Sequence, residues 1–424
     1  MKVSHFNTDD IVGGAARAAY SIHKSLISNG CASQMLVRRK SGNDSTVVEI
    51  GQENLLGLAE EFAEKTLTRG LNFFNSNSNL MSYEIFSVPF RKIKPHISAS
   101  DILNLHWIQG FLNARVIAEM CEYVPTPILW HLVDIAALTG GCHYSEGCDG
   151  FTRVCGRCPQ INSRRKNDIT NWSFSQKNKF LSEQQIIFIA PTSWIKDQIV
   201  KSAIFKNHRI ECIPIPINDR VFTPVGREKA RQSFGLKPNT FQIFFGATRI
   251  KELRKGFHHL LESLGLLKGL LSESGSVDPE IQLLVAGREF DNVASALPFP
   301  TRFLGFLNDS ELAEAYKSSD LFICPSVEDA GPMMIVESAM CGTPVVAFNT
   351  GGAPDTIEHL KTGYLAKLGD SSDLAKGIFE CIRDFARKPQ TRELIFTSTF
   401  NRCSPTKVAA KYVSLCESIY KGPI

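Results

Sequence analysis

Short apolar runs alternate with helical patterns along nearly the whole chain, and this alternation restricts the possible folds more than any other feature of the sequence. Strands that alternate with helices are typical of a parallel β-sheet whose faces are covered by helices. In the first half the predicted strands are Lys2–Phe6, Ile102–His106, Ile128–His131, Ile186–Ala190 and Arg209–Ile213. In the second half they are Gln242–Phe245, Ile281–Ala286, Leu321–Cys324 and Val345–Ala347. The sequence therefore predicts an α/β fold.

A proline-rich stretch divides the two series of strands. Residues 212–226, CIPIPINDRVFTPVG, contain three prolines and a change of composition, as is typical of an interdomain linker. With 424 residues the chain is also too long for a single compact core. We expect two Rossmann-like, doubly wound parallel-sheet domains, over residues 1–216 and 217–403, that face each other across a cleft. Residues 404–424 are expected to form a helix that packs back toward the first domain, and residues 51–95 an irregular insertion.

Composition and charge exclude several classes of protein. Hydrophobic residues make up 43% of the chain and charged residues 21%, which is ordinary for a globular protein. The net charge of +4 is too small to indicate a nucleic-acid-binding protein. The start, MKVSHFNTDD, lacks the apolar segment of a signal peptide, and no run of about 18 apolar residues occurs. We therefore expect a cytoplasmic protein that binds no nucleic acid.

A basic and aromatic stretch leaves open a peripheral contact with a membrane. Residues 161–180, INSRRKNDITNWSFSQKNKF, combine five cations with Trp172, Phe174 and Phe180. One interpretation is a patch that meets anionic lipid at the inner face of the cytoplasmic membrane. The preferred interpretation is a solvated helix that places a few aromatic residues in the core.

Four cysteines lie close together in the first half. Cys142, Cys148, Cys155 and Cys158 have the spacing C-x5-C-x6-C-x2-C, and a C-x2-C pair is the usual half of a tetrahedral zinc site. Four thiolates would fill the coordination sphere, which makes the predicted zinc structural rather than catalytic. Two alternatives stay open, a metal-free reduced loop and a site in which His143 replaces one cysteine. The other eight cysteines are scattered in apolar surroundings, as expected for reduced thiols.

Paired glycines near the N-terminus form a candidate ligand loop. Gly13 and Gly14 lie after the first predicted strand and before a helix, where backbone N–H groups can meet an anionic ligand. The full G-x-G-x-x-G pattern is absent, so a dinucleotide site is not predicted. A simple tight turn remains the alternative.

Two cations follow the first strand of the second half. In FQIFFGATRIKELRKGF, Arg249 and Lys255 lie on the loop after the strand and could hold a diphosphate by charge-assisted hydrogen bonds. The motif D-x-D, which could hold a divalent cation, is absent from the chain. Side chains and helix ends would then neutralise a diphosphate, and we expect no catalytic metal.

A second motif, SVEDAGPMMIVESAMCGTPVVAF, follows the strand Leu321–Cys324. Pro332 suits the first position of a helix and Gly342 its end, so the backbone amides of Gly331, Pro332, Met333 and Met334 mark a helix start that suits an anion; proline itself offers no N–H. Three carboxylates could bind hydroxyl groups of a ligand, namely Glu328, Asp329 and Glu337.

Together these motifs resemble the family 4 glycosyltransferases, retaining enzymes of the GT-B fold. The resemblance covers nearly the whole chain and is strongest from Ile213 to Leu368. The family's phosphate-binding arginine and lysine match Arg249 and Lys255. Its E-x7-E motif ends at Glu337, which places Asp329 at its first position, with Glu328 as the alternative if the loop carries one extra residue.

The sequence departs from the family at WHLVDIAALTGGC. Many relatives have His-Asp before this turn, with the histidine contacting the transferred sugar. Asp134 matches the aspartate, but Val133 occupies the histidine position and His131 lies two residues earlier. His131, or His106 at another strand end, could take over that contact.

The resemblance implies a sugar transferase that uses a UDP- or GDP-sugar donor and retains the anomeric configuration. Arg249, Lys255 and the Gly331–Met333 helix start would bind the diphosphate. Glu337 would bind ribose, and Glu328 or Asp329 the donor sugar. A bacterial polysaccharide subgroup carries a similar TGGCHY…C…C…CP insertion, which implies a saccharide or lipid-linked acceptor. The alternatives are a catalytically silent nucleotide-sugar-binding partner of another transferase and a sugar-nucleotide epimerase.

Overall fold

The computed structural model describes residues 1–51, 66, 70, 81–249, 252–274, 279–288, 294–385 and 388–421. The chain divides into two compact units. Unit 1 comprises Met1–Pro216 together with Pro405–Ile424, and unit 2 comprises Ile217–Ser404. The boundary at Pro216 lies inside the proline-rich stretch of residues 212–226.

Unit 1 is built on a parallel sheet in which the seven described strands have the order 3-2-1-4-5-6-7. The strands are β1 (Lys2–Asp9), β2 (Ala32–Arg39), β3 (Val47–Glu49), β4 (Ile102–Leu105), β5 (Ile128–His131), β6 (Ile186–Ala190) and β7 (Ile210–Cys212). The helices between them are α1 (Gly14–Ser28), α2 (Phe90–Ile97), α3 (Ala114–Tyr123), α4 (Ile169–Leu181) and α5 (Ser193–Lys201).

Unit 2 repeats the arrangement with six described strands in the order 10-9-8-11-12-13, again all parallel. The strands are β8 (Phe241–Arg249), β9 (Ile281–Arg288), β10 (Thr301–Gly305), β11 (Leu321–Cys324), β12 (Val345–Phe348) and β13 (Gly363–Ala366). The helices are α6 (Arg227–Ser233), α7 (Phe257–Glu273), α8 (Asp309–Ser318), α9 (Met333–Met340), α10 (Ser371–Glu380) and α11 (Pro389–Cys403).

The strand order confirms the predicted fold class. In each sheet the order reverses beside the first strand, between β1 and β4 in unit 1 and between β8 and β11 in unit 2. Such a reversal is the topological switch point of a doubly wound sheet, and ligands bind beside it at the carboxyl ends of the strands. The central strands β4, β5, β6, β11 and β12 are buried at every position because helices cover both faces.

The C-terminal helix α12 (Pro405–Lys421) belongs to unit 1. Val408, Tyr412 and Leu415 lie in the same buried cluster as Val3 and Ile22. The Tyr412 hydroxyl is hydrogen-bonded to Nδ1 of His131, at the end of β5. The last helix of the chain is thereby anchored in the core of the first unit.

Four strands were absent from the sequence prediction. They are β2, β3, β10 and β13, and each is short or carries polar and exposed positions, so none reads as a continuous apolar run. The irregular insertion predicted for residues 51–95 falls largely outside the described residues, and its end is the helix α2. Among the described helices, none is both long and apolar enough to cross a membrane.

Five histidines are buried in unit 1, and four of them have a lowered pKa. Burial lowers the pKa of His23 to about 4 and that of His131 to about 3. Burial, and then the neighbouring imidazoles, hold the pKa of His5 and of His106 well below the ordinary value. The two rings are in contact, with His5 Nδ1 2.9 Å from His106 Nε2. All four are therefore neutral in the folded protein at neutral pH.

These histidines should make unit 1 sensitive to acid. Below about pH 6.5 the unfolded chain takes up protons that the folded chain excludes, so the free energy of unfolding falls as the pH falls. Each histidine contributes about 1.4 kcal/mol per pH unit until its own folded pKa is reached. We expect His131→Gln to make this pH dependence shallower by about one such contribution.

The measurement is urea unfolding between about pH 5 and pH 7.5, followed by tryptophan fluorescence. All four tryptophans, Trp107, Trp130, Trp172 and Trp194, belong to unit 1. The control is His96→Gln, since His96 is exposed. Equal pH dependence in the two variants would contradict the assignment of His131 as a buried neutral group.

Candidate active site

Asp134 lies just beyond the carboxyl end of β5 and is the centre of a polar network. Its Oδ2 is 2.6 Å from His143 Nδ1 and accepts a hydrogen bond from Trp107 Nε1 at 3.0 Å. Its Oδ1 accepts from the backbone N–H of Ala136 at 2.9 Å. The other ring nitrogen of His143, Nε2, is 2.8 Å from the Ser82 hydroxyl. Four segments of unit 1 meet in this network.

The network holds Asp134 in its ionised form. Burial opposes ionisation, but the charge of His143 and the hydrogen bonds from His143, Ala136 and Trp107 outweigh it and lower the pKa of Asp134. Trp107 follows β4 and Asp134 follows β5, so both belong to the sheet edge at which ligands of parallel sheets bind.

A buried lysine supports the loop that carries Asp134 and His143. Lys177, on α4, is 2% exposed and donates to the carbonyls of Ala136 at 2.6 Å and Thr139 at 2.8 Å. Gly141 has φ 145°, and a Cβ there would lie 2.6 Å from the Ser82 carbonyl. Only glycine therefore allows the loop to approach the Ser82 segment this closely.

The two glycines predicted for a ligand loop of unit 1 lie at the start of the helix α1, as the sequence predicts. Gly13 is the N-cap of α1 with φ 93°, and Gly14 is the first residue of that helix. Both are exposed, and a Cβ added to either would meet no atom within 4 Å. The first turn of α1 carries no acidic side chain, which keeps the positive end of the helix available to an anion.

The two histidines considered for the sugar contact are buried. His131 is fully buried and bonded to Tyr412, and His106 is 3% exposed and bonded to His5. Neither is part of the Asp134 network. A catalytic role for His131 stays a prediction.

The four clustered cysteines share one neighbourhood as free thiols. Gly140 N donates to Cys155 Sγ at 3.2 Å, and Gly150 N donates to Cys148 Sγ at 3.4 Å. Burial raises the pKa of Cys155 to about 11 and also raises that of Cys142, with smaller contributions from the other cysteines of the cluster. Within the part of the chain that the structure describes, no three His, Cys, Asp or Glu side chains are arranged to hold a metal ion.

In unit 2 a partly buried ion pair joins the two predicted motifs. Lys255 ends the 3₁₀ turn Leu253–Lys255, and its Nζ is 2.5 Å from Asp329 Oδ2. Arg254 Nη1 lies 3.4 Å from the same oxygen. Asp329 is 6% exposed, and its Oδ1 accepts from the backbone N–H of Gly331 at 3.2 Å. The structure therefore brings Lys255 to the loop that precedes α9.

Of the two adjacent acids Glu328 and Asp329, the one paired with Lys255 is buried. Burial opposes the ionisation of Asp329, but Lys255 and Arg254 outweigh it and lower the pKa of Asp329. Glu328, its neighbour, is partly exposed. Arg249 is the last residue of β8, and its side chain lies outside the described part of the structure.

The helix α9 begins close to where the sequence predicts. Pro332 is its N-cap and Met333 its first residue, one position later than expected. Glu337, one turn further, is only 1% exposed, and its Oε2 accepts from the Tyr316 hydroxyl at 3.3 Å. Its carboxylate thus faces the core of unit 2.

Two glycines allow the loops of unit 2 to pack backbone against backbone. Gly256 follows Lys255 with φ 67°, and a Cβ there would lie 1.8 Å from the Pro325 carbonyl oxygen. Gly351 has φ 58°, and a Cβ there would lie 2.1 Å from the Asp329 carbonyl oxygen. Both positions require glycine, because the conformation is left-handed and the space is already filled.

The two doubly wound parallel sheets, with their reactive side chains at the carboxyl ends of the strands, define a protein of the GT-B fold. Residues 226–393 match the family described as Glycosyl transferases group 1. The matched part of the chain, which carries Lys255, Asp329 and α9, is similar to that family.

Two relatives illustrate the range of similarity. The chain is 33% identical over 215 residues to D-inositol 3-phosphate glycosyltransferase of Pseudarthrobacter chlorophenolicus, a match that covers 48% of each protein. It is 21% identical over 421 residues to the putative colanic acid biosynthesis glycosyl transferase WcaC of Escherichia coli, covering 97% of this chain and 96% of the relative. The chain matches about half the length of the relatives of the first type.

Solved structures share the whole fold. Sucrose-phosphate synthase of Thermosynechococcus elongatus matches with a TM-score of 0.69 at 15% identity, covering 99% of both chains. Anabaena HepE, solved in complex with UDP and glucose, matches with a TM-score of 0.63 at 17% identity, covering 99% of this chain and 100% of HepE. At these identities the likeness concerns the fold.

Sequence reasoning missed several residues of both sites. Ser82, Trp107 and Lys177 of the Asp134 network were not singled out, and His143 was considered only as a possible metal ligand. Arg254 was passed over beside Lys255. The signals were weak, because only the fold brings these separate segments together.

Gly256 offers a direct test of the close packing beside Lys255. We expect Gly256→Ala to lower the free energy of unfolding by about 1–3 kcal/mol more than a left-handed glycine in open space does, since the Pro325 backbone must also move. The matched control is Gly235→Ala, because Gly235 has φ 57° but meets no atom within 4 Å. Urea unfolding followed by circular dichroism measures the difference, and equal losses in the two variants would contradict the packing.

Proposed function

We propose that the protein is a glycosyltransferase that moves a sugar from a nucleotide-sugar donor to a saccharide acceptor with retention of anomeric configuration. The observation that carries the proposal is the cation pair Arg254 and Lys255, held beside the loop before α9 within the segment that matches the group 1 glycosyl transferases. Cations on a loop after a parallel strand suit a diphosphate.

In this proposal unit 2 binds the donor. Lys255, Arg249 and the start of α9 at Gly331–Met333 neutralise the diphosphate as the bond to the sugar breaks, and charge placed in advance at a developing anion is commonly the largest catalytic contribution. When the donor binds, the Lys255 ammonium group leaves Asp329 and contacts phosphate oxygens instead. In this proposal Asp329 positions Lys255 and the partly exposed Glu328 binds the donor sugar's hydroxyls, as the contact between Lys255 and Asp329 supports.

The predicted ribose contact of Glu337 carries an additional requirement. Because the carboxylate is buried and accepts from Tyr316, it must turn away from Tyr316 to meet a ribose hydroxyl. The other donor contacts require no such change.

The acceptor is proposed to bind at the carboxyl ends of β4 and β5 in unit 1, where Asp134 lies. Its hydroxyl attacks the anomeric carbon on the face that the nucleotide leaves, and the departing phosphate takes the proton. No catalytic metal is invoked. A saccharide or lipid-linked saccharide acceptor in bacterial polysaccharide synthesis is supported by the nearly full-length match to WcaC, whose description names colanic acid biosynthesis.

One observation favours a second candidate, a silent nucleotide-sugar-binding partner of another transferase. Val133 occupies the position of the sugar-contacting histidine, and His131 is turned into the core against Tyr412. A silent partner would bind the nucleotide but release none from a nucleotide-sugar.

We also propose a cytoplasmic location, in which the twelve cysteines stay reduced. Contact with an anionic membrane face would involve exposed residues around α4, where Trp172 is 41% exposed. The same helix buries Phe174 and Lys177, as the preferred interpretation of a solvated helix with core residues requires.

The four cysteines are proposed to bind a structural zinc ion. The donor set suits zinc, and the Gly140 and Gly150 N–H groups that point at Cys155 and Cys148 sulfur would stabilise thiolates. The four sulfurs would have to close on the ion from their thiol positions. His143 is not needed as a ligand, because both its ring nitrogens are already engaged.

Lys255→Ala tests the donor site. We expect the affinity for UDP or GDP to fall by on the order of 1.5–3 kcal/mol, the usual worth of a charge-assisted hydrogen bond. Isothermal titration calorimetry measures it, and Lys268→Ala is the control because Lys268 is an exposed lysine of the same unit. Unchanged affinity in Lys255→Ala would show that this lysine does not contact the diphosphate.

Metal analysis tests the zinc proposal. Purified wild type should contain about one zinc ion per chain, since four thiolates complete one tetrahedral site. The double variant Cys155→Ser, Cys158→Ser should lose it, whereas Cys212→Ser, at an exposed cysteine outside the loop, should keep it. A wild type purified without zinc, and unable to take it up, would rule the site out.

A further inference from the structure

The Asp134 network contains the hydroxyl group of Ser82, to which the proposed reaction assigns no role. Ser82 lies near the start of the described segment that leads to α2. Its hydroxyl ends a chain of hydrogen bonds that begins at the Asp134 carboxylate. Serine, histidine and aspartate are thus connected in sequence at the carboxyl ends of β4 and β5.

The charge of Asp134 fixes the direction of the hydrogen bonds that this carboxylate makes. An ionised carboxylate can only accept, so Trp107 Nε1 and His143 Nδ1 both donate to it. The other ring nitrogen of His143, Nε2, lies 2.8 Å from the Ser82 hydroxyl, and a hydroxyl group can either donate to or accept from a ring nitrogen.

Burial separates the members of the chain into an inner and an outer part. His143 is 4% exposed, and the Asp134 side chain is 13% exposed. Ser82 is only partly buried, so it is the member that a ligand can reach. Lys177 and the backbone bond from Ser82 N to Gly141 O at 2.8 Å also hold the loop.

We propose that Ser82 Oγ binds a hydroxyl group of the acceptor saccharide, and that His143 and Asp134 position it for this contact. The proposal rests on the transferase function proposed above and adds the residue that recognises the acceptor. The hydrogen bond to His143 orients the Ser82 hydroxyl, and a serine oxygen has lone pairs that accept from a sugar hydroxyl.

In this proposal the cysteine loop contributes to recognition of the acceptor saccharide. His143 directly follows Cys142, and the Met81–Cys142 bridge places the Ser82 segment against the loop. Gly141, which permits the close approach, belongs to the same turn. The loop thus delivers the imidazole that orients the Ser82 hydroxyl.

The experiment measures saccharide binding to the full-length protein without any donor. Saturation-transfer-difference NMR is recorded with a panel of methyl α- and β-glycosides of glucose, galactose, mannose and fucose as probes. Wild type should bind at least one glycoside, and Ser82→Ala should weaken its binding by about three- to tenfold, the effect of losing one neutral hydrogen bond. Ser82→Thr keeps a hydroxyl and should retain most of the affinity.

Two further variants separate positioning from folding. Ser87→Ala is the matched control, since Ser87 is a partly buried serine of the same segment whose hydroxyl is bonded to Val88 and Phe111 carbonyls instead. It should bind like wild type. Asp134→Asn removes the charge that orients His143 and should weaken glycoside binding as Ser82→Ala does, while the affinity for UDP or GDP stays unchanged in both.

The outcomes distinguish this proposal from the proposed function. Glycoside binding that is equal in wild type and Ser82→Ala would overturn the role of Ser82, as would a wild type that binds none of the glycosides. A wild type that binds neither UDP nor GDP would instead count against the transferase function. A loss of glycoside binding in Ser82→Ala that Ser82→Thr fails to restore would assign the effect to packing and also overturn the proposal.

Discussion

Parallel pairing of the strands is the constraint on which both units depend. Each connection between parallel neighbours must cross back to the start of the sheet, so helices cover the faces and the carboxyl ends collect at one edge. In unit 1 that edge carries Trp107 after β4 and Asp134 after β5. In unit 2 it carries the turn with Lys255 after β8 and Asp329 after β11. The reactive side chains are thereby gathered without being near in sequence.

At each edge a buried carboxylate organises the loops around it. Removing a carboxylate from water costs several kcal/mol unless charge and hydrogen bonds replace the lost hydration. Asp134 receives them from His143, Trp107 and Ala136 N, and Asp329 from Lys255 and Gly331 N. The two centres differ in the group that contacts the buried network. In unit 2 it is the lysine Lys255, and in unit 1 it is the hydroxyl of Ser82.

The sequence allowed most central strands to be predicted and missed β2 together with three of the four edge strands, β3, β10 and β13. For β5, β6 and β11 even the bounds agree, because every residue is buried and apolar runs mark them. At the edges, β3 and β10 lie half in solvent and carry no such run. For the sites, Asp134, Lys255 and Asp329 stood in recognisable motifs. The network around Asp134 could not be predicted in this way, because Ser82 and His143 are 61 residues apart in sequence and only the folded loop joins them.

The most direct test of the transferase function follows nucleotide release from a panel of UDP- and GDP-sugars, with the anomeric configuration of the product read by proton NMR. The account predicts that one donor releases its nucleoside diphosphate, that the released sugar or glycoside keeps the donor's anomeric configuration, and that Lys255→Ala slows the release. A protein that binds the nucleotide but releases none from any donor would contradict it and identify the chain as a silent binding partner.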